Sequence, residues 1–491
     1  MEDEHRLIVE RKKKIQELRE MGIDPYPSVF RKTHLASEIL EKHKKIKVGE
    51  HAKGTVKVAG RLMTLRSMGK ASFGNIQDGS GRIQVFFRED DLGKEQYKIL
   101  KKLDLGDFIG CTGAIFKTKT GETTVFVKEV MLLTKSLKPL PEKFHGLKDQ
   151  ELRYRQRYLD LIMNPEVKEV FIKRSKTISA MREFLVGKGF IEVETPILQP
   201  IYGGTSARPF KSQLNALNMD VYMRISNELY LKRLIVGGYE KVFEFSQDFR
   251  NEGIDRTHNP EFLQMETMYG YANYEDNMDF LEEMIEYIAK KVNGTTKMKY
   301  GEIELDFKRP WKRVSMVEAI KEAVGKDFPS DLNLEKLRDL AEKSLIDGAH
   351  KMIWGELLES LFEHFCEAKM IQPTIVYDFP ADTSPLAKKK ASDPRYAERF
   401  EPMVNGWELG NVYSELNDPQ VLRENWEAQR KKLEAGDAEA QPMDEDFVNA
   451  LEIGMPPTSG VGIGMDRLVM LLTNQPSIRD VIFFPFMKPE K

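Results

Sequence analysis

Two runs of strand-like alternation bracket a polar span: YEKVFEF leads into FRNEGIDRTHNPEF, and FLQMETMYGY leads out of it. Such runs, separated by a cluster of Gly, Asp, Asn and Pro, predict a β-hairpin. In the incoming strand Phe243, Phe245 and Phe249 share one side, with Glu244, Ser246, Asp248 and Arg250 on the other. In the outgoing strand Phe262, Gln264, Glu266 and Met268 share a side. The paired strands therefore have one dry face and one that brings Arg250, Phe262 and Glu266 together. An arginine holds phosphate and carboxylate oxygens bidentately. A phenyl ring offers a stacking surface for a base, and a glutamate accepts from an ammonium. The combination fits an adenine nucleotide together with a small cation. The loop residues Glu252, Asp255, Arg256, His258 and Asn259 are placed to read a base edge and distal phosphates. A solvated tip carrying surface ion pairs is the plainer alternative, but the polar face runs too far along both strands for that.

Three further stretches point the same way. In SGVGIGMDRLVMLL a short glycine-rich strand leads into an apolar helix with Arg467 in its first turn. Helix N-termini favour anions, and Arg467 adds a fixed cation there. In FEPMVNGWELGNVYSELND, Asn411, Tyr413 and Glu415 fall on one strand face, and Glu401 and Glu408 are natural Mg²⁺ ligands for bridging phosphates. Glu408 is out of phase with Glu415, so a bulge near Gly410 is expected to bring both to one site. In YGGTSARPF and YMRISNELYLKRLIVGG, Gly203 and Gly204 permit close backbone approach, and Glu228 begins a predicted helix.

The rest of the chain supplies the frame. Residues 5–21 predict a helix with Leu7, Ile8, Ile15 and Leu18 as its apolar stripe, read as a helix packed on its neighbour rather than a basic helix on RNA. Residues 55–134 predict about five short strands with Gly-containing turns, which fits an OB-fold barrel. Arg66, Phe73 and Gln84 would face an oligonucleotide there. The expected domains are a helical extension over 1–50, the barrel over 51–140, a linker over 141–165 and a mixed α+β domain over 166–491, with a helical insertion at about 275–370. The net charge is -3, so nucleic acid binding requires local basic patches. The two cysteines, Cys111 and Cys366, lie far apart, which argues against a disulfide framework. No apolar run is long enough to span a membrane, and the acidic N-terminus is not a signal segment; a cytoplasmic location is expected.

Taken in order, these stretches resemble those of class II aminoacyl-tRNA synthetases, and most closely the bacterial-type lysyl-tRNA synthetases. GFIEVETPIL is similar to the first motif of that family, FRNEGIDRTHNPEF to the second and GIGMDRL to the third, while GKASFGNIQD and LKPLPEKFHG also resemble it. The resemblance implies a catalytic antiparallel sheet flanked by helices, and a homodimer built through GFIEVETPIL. It implies a reaction in which lysine and ATP form an adenylate that passes to tRNA(Lys). Arg250 would hold the α-phosphate and the amino-acid carboxylate, Glu252, His258 and Asn259 would contact ATP, Phe262 would stack on adenine, and Arg467 would grip the γ-phosphate. Glu401 and Glu408 would coordinate Mg²⁺. Gly204, Glu228 and Glu266 would take the α-amino group, Asn411 would lie near the carboxylate, Tyr413 would line the aliphatic stem and Glu415 would pair with the ε-ammonium. Arg66, Phe73 and Gln84 would contact anticodon bases. The chain departs from the family pattern at Met268, where a tyrosine usually helps hold the ε-ammonium; Tyr269 and Tyr413 are the candidates to compensate. Three rivals remain: an aspartyl- or asparaginyl-type relative, which would need a cationic side-chain pocket, a lysine ligase acting on a translation factor, and a non-catalytic oligonucleotide-binding protein.

Overall fold

A computed structural model describes residues 2–141, 147–434 and 441–490. Residues 142–146, within the expected linker and at the end of LKPLPEKFHG, lie outside the described residues. The chain divides into two compact units, Met1–Gly146 and Leu147–Lys491. Among the described residues no helix is long and apolar enough to cross a membrane.

The first unit is a closed five-stranded barrel of β1 (Val56–Met68), β2 (Ala71–Gln77), β3 (Arg82–Arg88), β4 (Phe108–Lys117) and β5 (Thr123–Thr134), in the order β1-β2-β3-β5-β4. Alternation sends Val56, Val58, Ile83, Val85, Phe87, Ile109, Cys111, Val125 and Val127 inward, where each is buried. Closure demands tight strand crossings. At Gly60 any side chain would put its Cβ 2.6 Å from the Gln77 carbonyl oxygen. The N-terminal helix Glu2–Glu20 packs as a structural element of this unit: Ile15 and Leu18 are buried, and Arg11 donates to the Ser136 and Lys138 carbonyls at 3.0 Å. Leu7, at the outer end of the predicted stripe, stays exposed. Beneath the helix Lys135, fully buried, donates to Asp104 at 2.5 Å and to Asp107 at 2.7 Å.

The strands of the second unit are β6 (Ile191–Glu192), β7 (Leu198–Gln199), β8 (Lys211–Leu214), β9 (Met219–Met223), β10 (Lys241–Phe249), β11 (Glu261–Gly270), β12 (Lys297–Tyr300), β13 (Ile303–Asp306), β14 (Lys312–Ser315), β15 (Thr374–Tyr377), β16 (Arg399–Val404), β17 (Trp407–Glu408), β18 (Gly410–Ser414) and β19 (Thr458–Gly464). The main sheet runs β14-β15-β16-β18-β19-β11-β10-β6, with β17 paired to β16. Its edge pairs β14–β15 and β6–β10 are parallel and its interior is antiparallel. The predicted hairpin is β10–β11, paired from Lys241↔Tyr269 to Phe249↔Glu261. The core side of the sheet is covered by the helices Pro165–Gly187, Tyr274–Asn293 and Met465–Thr473, which bury Met181, Leu185, Leu281, Ile285 and Leu468 against Phe243, Met265, Val461 and Ile463.

Residues 275–370 are not a purely helical insertion. Helix Tyr274–Asn293, begun by an Asn273–Asp276 capping box, belongs to the core beneath the sheet. β12 and β13 form a hairpin, and β14 joins the sheet edge. The helices Met316–Val324, Leu334–Lys343 and Trp354–Phe365 form a second core around Leu337, Leu357 and Leu361 that packs against Val314, Val376 and Met403 at the sheet edge. The four residues of β14, Lys312–Ser315, are too few to show alternation.

Replacing the buried cation of the barrel tests its internal ion cluster. Lys135→Met leaves Asp104 and Asp107 without their shared ammonium and is expected to destabilise the first unit by about 3–5 kcal/mol in urea unfolding.

Candidate functional site

A cavity of about 390 Å³ opens on the face of the sheet away from the helical core, over β11, β19 and β18. Register explains its shape. Across the three strands Met268 lies beside Gly460 and Tyr413, and Glu266 beside Gly462 and Asn411, while Gln264 pairs with Gly464. The alternating glycines of SGVGIG are thus the bare floor between two rows of functional side chains. A Cβ on Gly462 would stand 3.0 Å from Gln264 Nε2, and one on Gly460 would overlap the Glu415 carboxylate.

One end of the cavity is cationic. Arg250 follows β10, its backbone N–H donates to the Pro260 carbonyl at 2.9 Å, and its guanidinium lies 4.9 Å from the centroid of Phe262. Arg250 Nε is buried with no hydrogen-bond partner among the described residues. Arg467, in the first turn of helix Met465–Thr473, donates to the Glu408 carbonyl at 2.7 Å and reaches His258 Nε2 at 3.2 Å. The loop holding His258 is organised by Asp255, which accepts from the Thr257 and His258 amides at 2.7 and 2.8 Å and meets the His258 ring at 2.8 Å. Desolvation opposes it, but those bonds bring the Asp255 carboxyl down to about 2. Glu252 and Asn259 also line this end.

Glu401 and Glu408 line the same cavity. The chain leaves regular pairing between them: β17 ends at Glu408, Leu409 N–H donates to Pro402, and β18 resumes at Gly410. That break brings Glu408 and Glu415 to one cavity, as the phase argument requires. Arg399, half-buried beside them, donates to Glu401 Oε1 at 2.5 Å, Asn411 Oδ1 at 2.9 Å and Ser384 Oγ at 2.9 Å. Burial raises Glu401 to about 8 despite Arg399, with Glu408 adding to the rise. Among the described residues no cluster of three or more His, Cys, Asp or Glu side chains is spaced to hold a metal. The Glu401–Glu408 pair is a hard-oxygen donor set that suits Mg²⁺ when phosphate oxygens complete the shell.

The other end is anionic and buried. Glu228, at the start of helix Glu228–Val236, accepts from Tyr413 Oη at 2.6 Å. Glu266 Oε1 accepts from Gln264 at 2.5 Å and Ser226 at 3.2 Å, and Glu266 Oε2 has no partner among the described residues. Burial, then Asp248 and Glu228, push Glu266 well above the ordinary carboxylate range. Burial lifts Glu415 to about 8, with Glu228 adding to the rise and Lys232 opposing it. Gly204 has φ +97°, and a Cβ there would approach Ser226 Oγ to 2.9 Å, so the backbone itself forms part of this wall. The Met268 departure resolves by alternation. Met268 lines the cavity, whereas Tyr269 faces the opposite side and packs on Phe190 with ring centroids 5.5 Å apart. Of the two tyrosines, Tyr413 is the one that lines the pocket, its hydroxyl donating to Glu228.

Of the residues the sequence assigned to the second unit's site, Arg250, Glu252, His258, Asn259, Phe262, Arg467, Gly204, Glu228, Glu266, Asn411, Tyr413, Glu415, Glu401 and Glu408 line this cavity, whereas Gly203, Asp255 and Arg256 do not: Asp255 is engaged within the His258 loop and Arg256 donates to the Pro476 carbonyl. Sequence reasoning missed Ser226, Gln264, Arg399, Lys232 and Asp466. Asp466 accepts from Arg174 at 2.5 Å and from the Leu263 amide at 2.9 Å, fixing the helix that carries Arg467 to β11. In the barrel, Arg66 is exposed and pairs across β1–β2 with Phe73, whose ring lies tilted against that of Phe86 with centroids 4.5 Å apart. Gln84 donates to Glu122 at 2.7 Å and accepts from Thr124 at 2.8 Å. Half-buried Phe86, Phe116 and Phe126 extend this aromatic surface, and the alternation in RIQVFF, GAIFK and TVFVK places them on the outward side of their strands.

Comparison with known proteins agrees with this geometry. The family described as tRNA synthetases class II (D, K and N) matches residues 149–488, and OB-fold nucleic acid binding domain matches residues 56–133. The chain is 52% identical over 490 residues to the lysine–tRNA ligase of Clostridium novyi, covering 99% of this chain and 95% of that relative. It is 52% identical over 491 residues to that of Thermoanaerobacter pseudethanolicus, covering 100% and 97%. It is 51% identical over 480 residues to that of Bacillus subtilis, covering 97% and 96%. With a nucleic-acid barrel ahead of a two-signed cavity on an antiparallel sheet, the chain belongs to the class II tRNA synthetases of the D, K and N group.

Proposed function

We propose that this chain is a lysine–tRNA ligase, which joins lysine to ATP as lysyl-adenylate, releases pyrophosphate and transfers lysine to the 3′ end of tRNA(Lys). The observation that carries this reading is a single cavity with guanidinium groups at one end and three buried carboxylates, Glu228, Glu266 and Glu415, at the other. A triphosphate suits the first end and a diamino acid the second. A neutral amino acid would leave buried carboxylates unmatched at a large cost. The aspartyl or asparaginyl alternative needs a cation facing the side chain, and the residues lining that end are acidic.

A carboxylate is already a nucleophile, so the first step requires positioning and charge neutralisation rather than a general base. Arg250 would hold the lysine carboxylate against the α-phosphate, and the ring of Phe262 would carry the adenine. Glu252, His258 and Asn259 would contact the nucleotide, and Arg467 would draw charge onto the departing pyrophosphate. Glu401 and Glu408 would hold Mg²⁺, which neutralises the bridging phosphates when bound. Gly204, Glu228 and Glu266 would receive the α-ammonium, Asn411 the carboxylate side, Tyr413 the stem and Glu415 the ε-ammonium. Arg66, Phe73 and Gln84 would meet anticodon bases on the barrel. Ile191, Ile197 and Leu198 are 51%, 45% and 53% exposed on GFIEVETPIL, which supports a second copy of the chain as their cover. The proposed activity belongs in the cytoplasm with its tRNA.

Amino-acid-dependent ATP–pyrophosphate exchange across the twenty amino acids tests the reading: lysine alone is expected to support fast exchange. Glu415→Gln is expected to abolish lysine-dependent exchange while ATP still binds, and unchanged kinetics would remove Glu415 from the site. The pH dependence has a definite sign. Glu415 titrates near 8, above its ordinary value, and carries a proton at lower pH that an incoming ammonium must displace. The KM for lysine should therefore fall as pH rises from about 6 to 8, by up to about tenfold per unit, and then level. A KM that rises over that window would contradict the carboxylate pocket.

A further inference from the structure

The helix that opens with Glu228 reads ELYLKRLIV, and its one lysine at a buried position is Lys232. Its side chain is 1% exposed. Burying an ammonium this completely is costly unless carboxylates meet it. Two do: Lys232 Nζ bonds Glu228 Oε1, one turn back on the same helix, and lies 2.5 Å from Glu415 Oε2. Tyr413 Oη takes the other Glu228 oxygen at 2.6 Å, and the Tyr413 ring lies 5.5 Å from the ammonium. Lys232 is absent from the cavity lining, whereas Glu228, Glu415 and Tyr413 all line it. The ammonium therefore sits behind the acidic wall, and the wall stands between it and the ligand space.

Resting on the lysine reading above, we propose that Lys232 is a positioning residue of the amino-acid site: a resident ammonium behind the wall that holds Glu228 and Glu415 at one spacing, so that the substrate's ammonium groups meet them from the cavity side.

The argument is electrostatic. Glu228 and Glu415 come from elements far apart in sequence, and like charges at this burial repel or share a proton. A shared proton would have to leave before an ammonium could bind. The groups facing Lys232 are Glu228 on its own helix and Tyr413 and Glu415 at the end of β18. Glu266 on β11 stands next to these, with Asp248 and Arg250 beyond. Asp444 and Asp446, at the start of helix Glu445–Ile453, are taken by Arg233 instead. Burial alone would lower the Lys232 ammonium, but Glu228 and Glu415 outweigh it and hold it charged. Lys232 in turn opposes the rise of Glu415. It thus lowers the pH at which the wall becomes available to substrate.

Lys232→Met keeps the shape of the side chain and removes its charge. In ATP–pyrophosphate exchange this variant is expected to raise the KM for lysine by about tenfold near neutral pH, the equivalent of one pKa unit, with the KM for ATP unchanged. The pH at which the lysine KM levels should move alkaline. The double variant E228Q/K232M removes one charge of each sign and should bring the levelling pH back toward that of the parent. A K232M protein that melts like the parent and keeps its lysine KM profile overturns the proposal, as does a double variant that keeps the alkaline profile of K232M. Should K232M not fold, the double variant decides alone: a levelling pH at or below the parent's is expected, and one above it overturns the role. Absence of lysine-dependent exchange in the parent protein would instead overturn the lysine reading itself.

Discussion

Three carboxylates buried at one end of a cavity dominate the electrostatics of the second unit. Glu228, Glu266 and Glu415 come from a helix, an interior strand and the residue after another strand, so no local preference brings them together. Left unmatched they would repel one another and oppose folding. The fold answers with Lys232 behind two of them, Tyr413 on one, and Ser226 and Gln264 on the third. One oxygen of Glu266 still lacks a partner among the described residues. Under the proposed lysine reading, that residual deficit is what a substrate ammonium would fill and a neutral side chain would leave unmatched.

The opposite sign is held at the other end by devices that keep the two ends apart. Arg250 leans on Phe262, and Arg467 is fixed by the carbonyl of Glu408 and by a helix that Asp466 ties to β11 and to Arg174. Between the ends lies the glycine row of β19. Its lack of side chains keeps the floor low enough for one ligand to touch both ends. A single methyl on Gly460 would meet the Glu415 carboxylate and the Met268 side chain, so the interval between charges depends on glycine as much as on the charged groups.

What was legible in the sequence follows from how locally each feature is encoded. The hairpin, the glycine strand with its arginine-bearing helix and the barrel are period-two or helix-start patterns contained within short windows, and each forms as the pattern predicts. The break before Gly410 followed from a phase mismatch between two glutamates. Arg399, Asp466 and Lys232 were missed because their meaning lies in partners brought close only by tertiary contacts. Lys232 did leave a trace: a lysine one turn after a glutamate in an otherwise apolar helix. The 275–370 segment was misread as an insertion for a related reason. Helix Tyr274–Asn293 shows amphipathicity but not which core it serves, and β14 is too short to alternate.

The Met268 position shows how a pocket tolerates the loss of one polar group. Gly460 leaves Met268 and Tyr413 on either side of a bare strand position, both lining the cavity beside the acidic wall. Here the β11 side is a thioether and the β18 side carries the hydroxyl, bonded to Glu228. The wall keeps a neutral donor, and Met268 adds apolar surface to the cavity lining. Because the donor is anchored to Glu228, which is itself anchored to Lys232, the hydroxyl is part of the network that sets the spacing of the carboxylates rather than a free contact awaiting substrate.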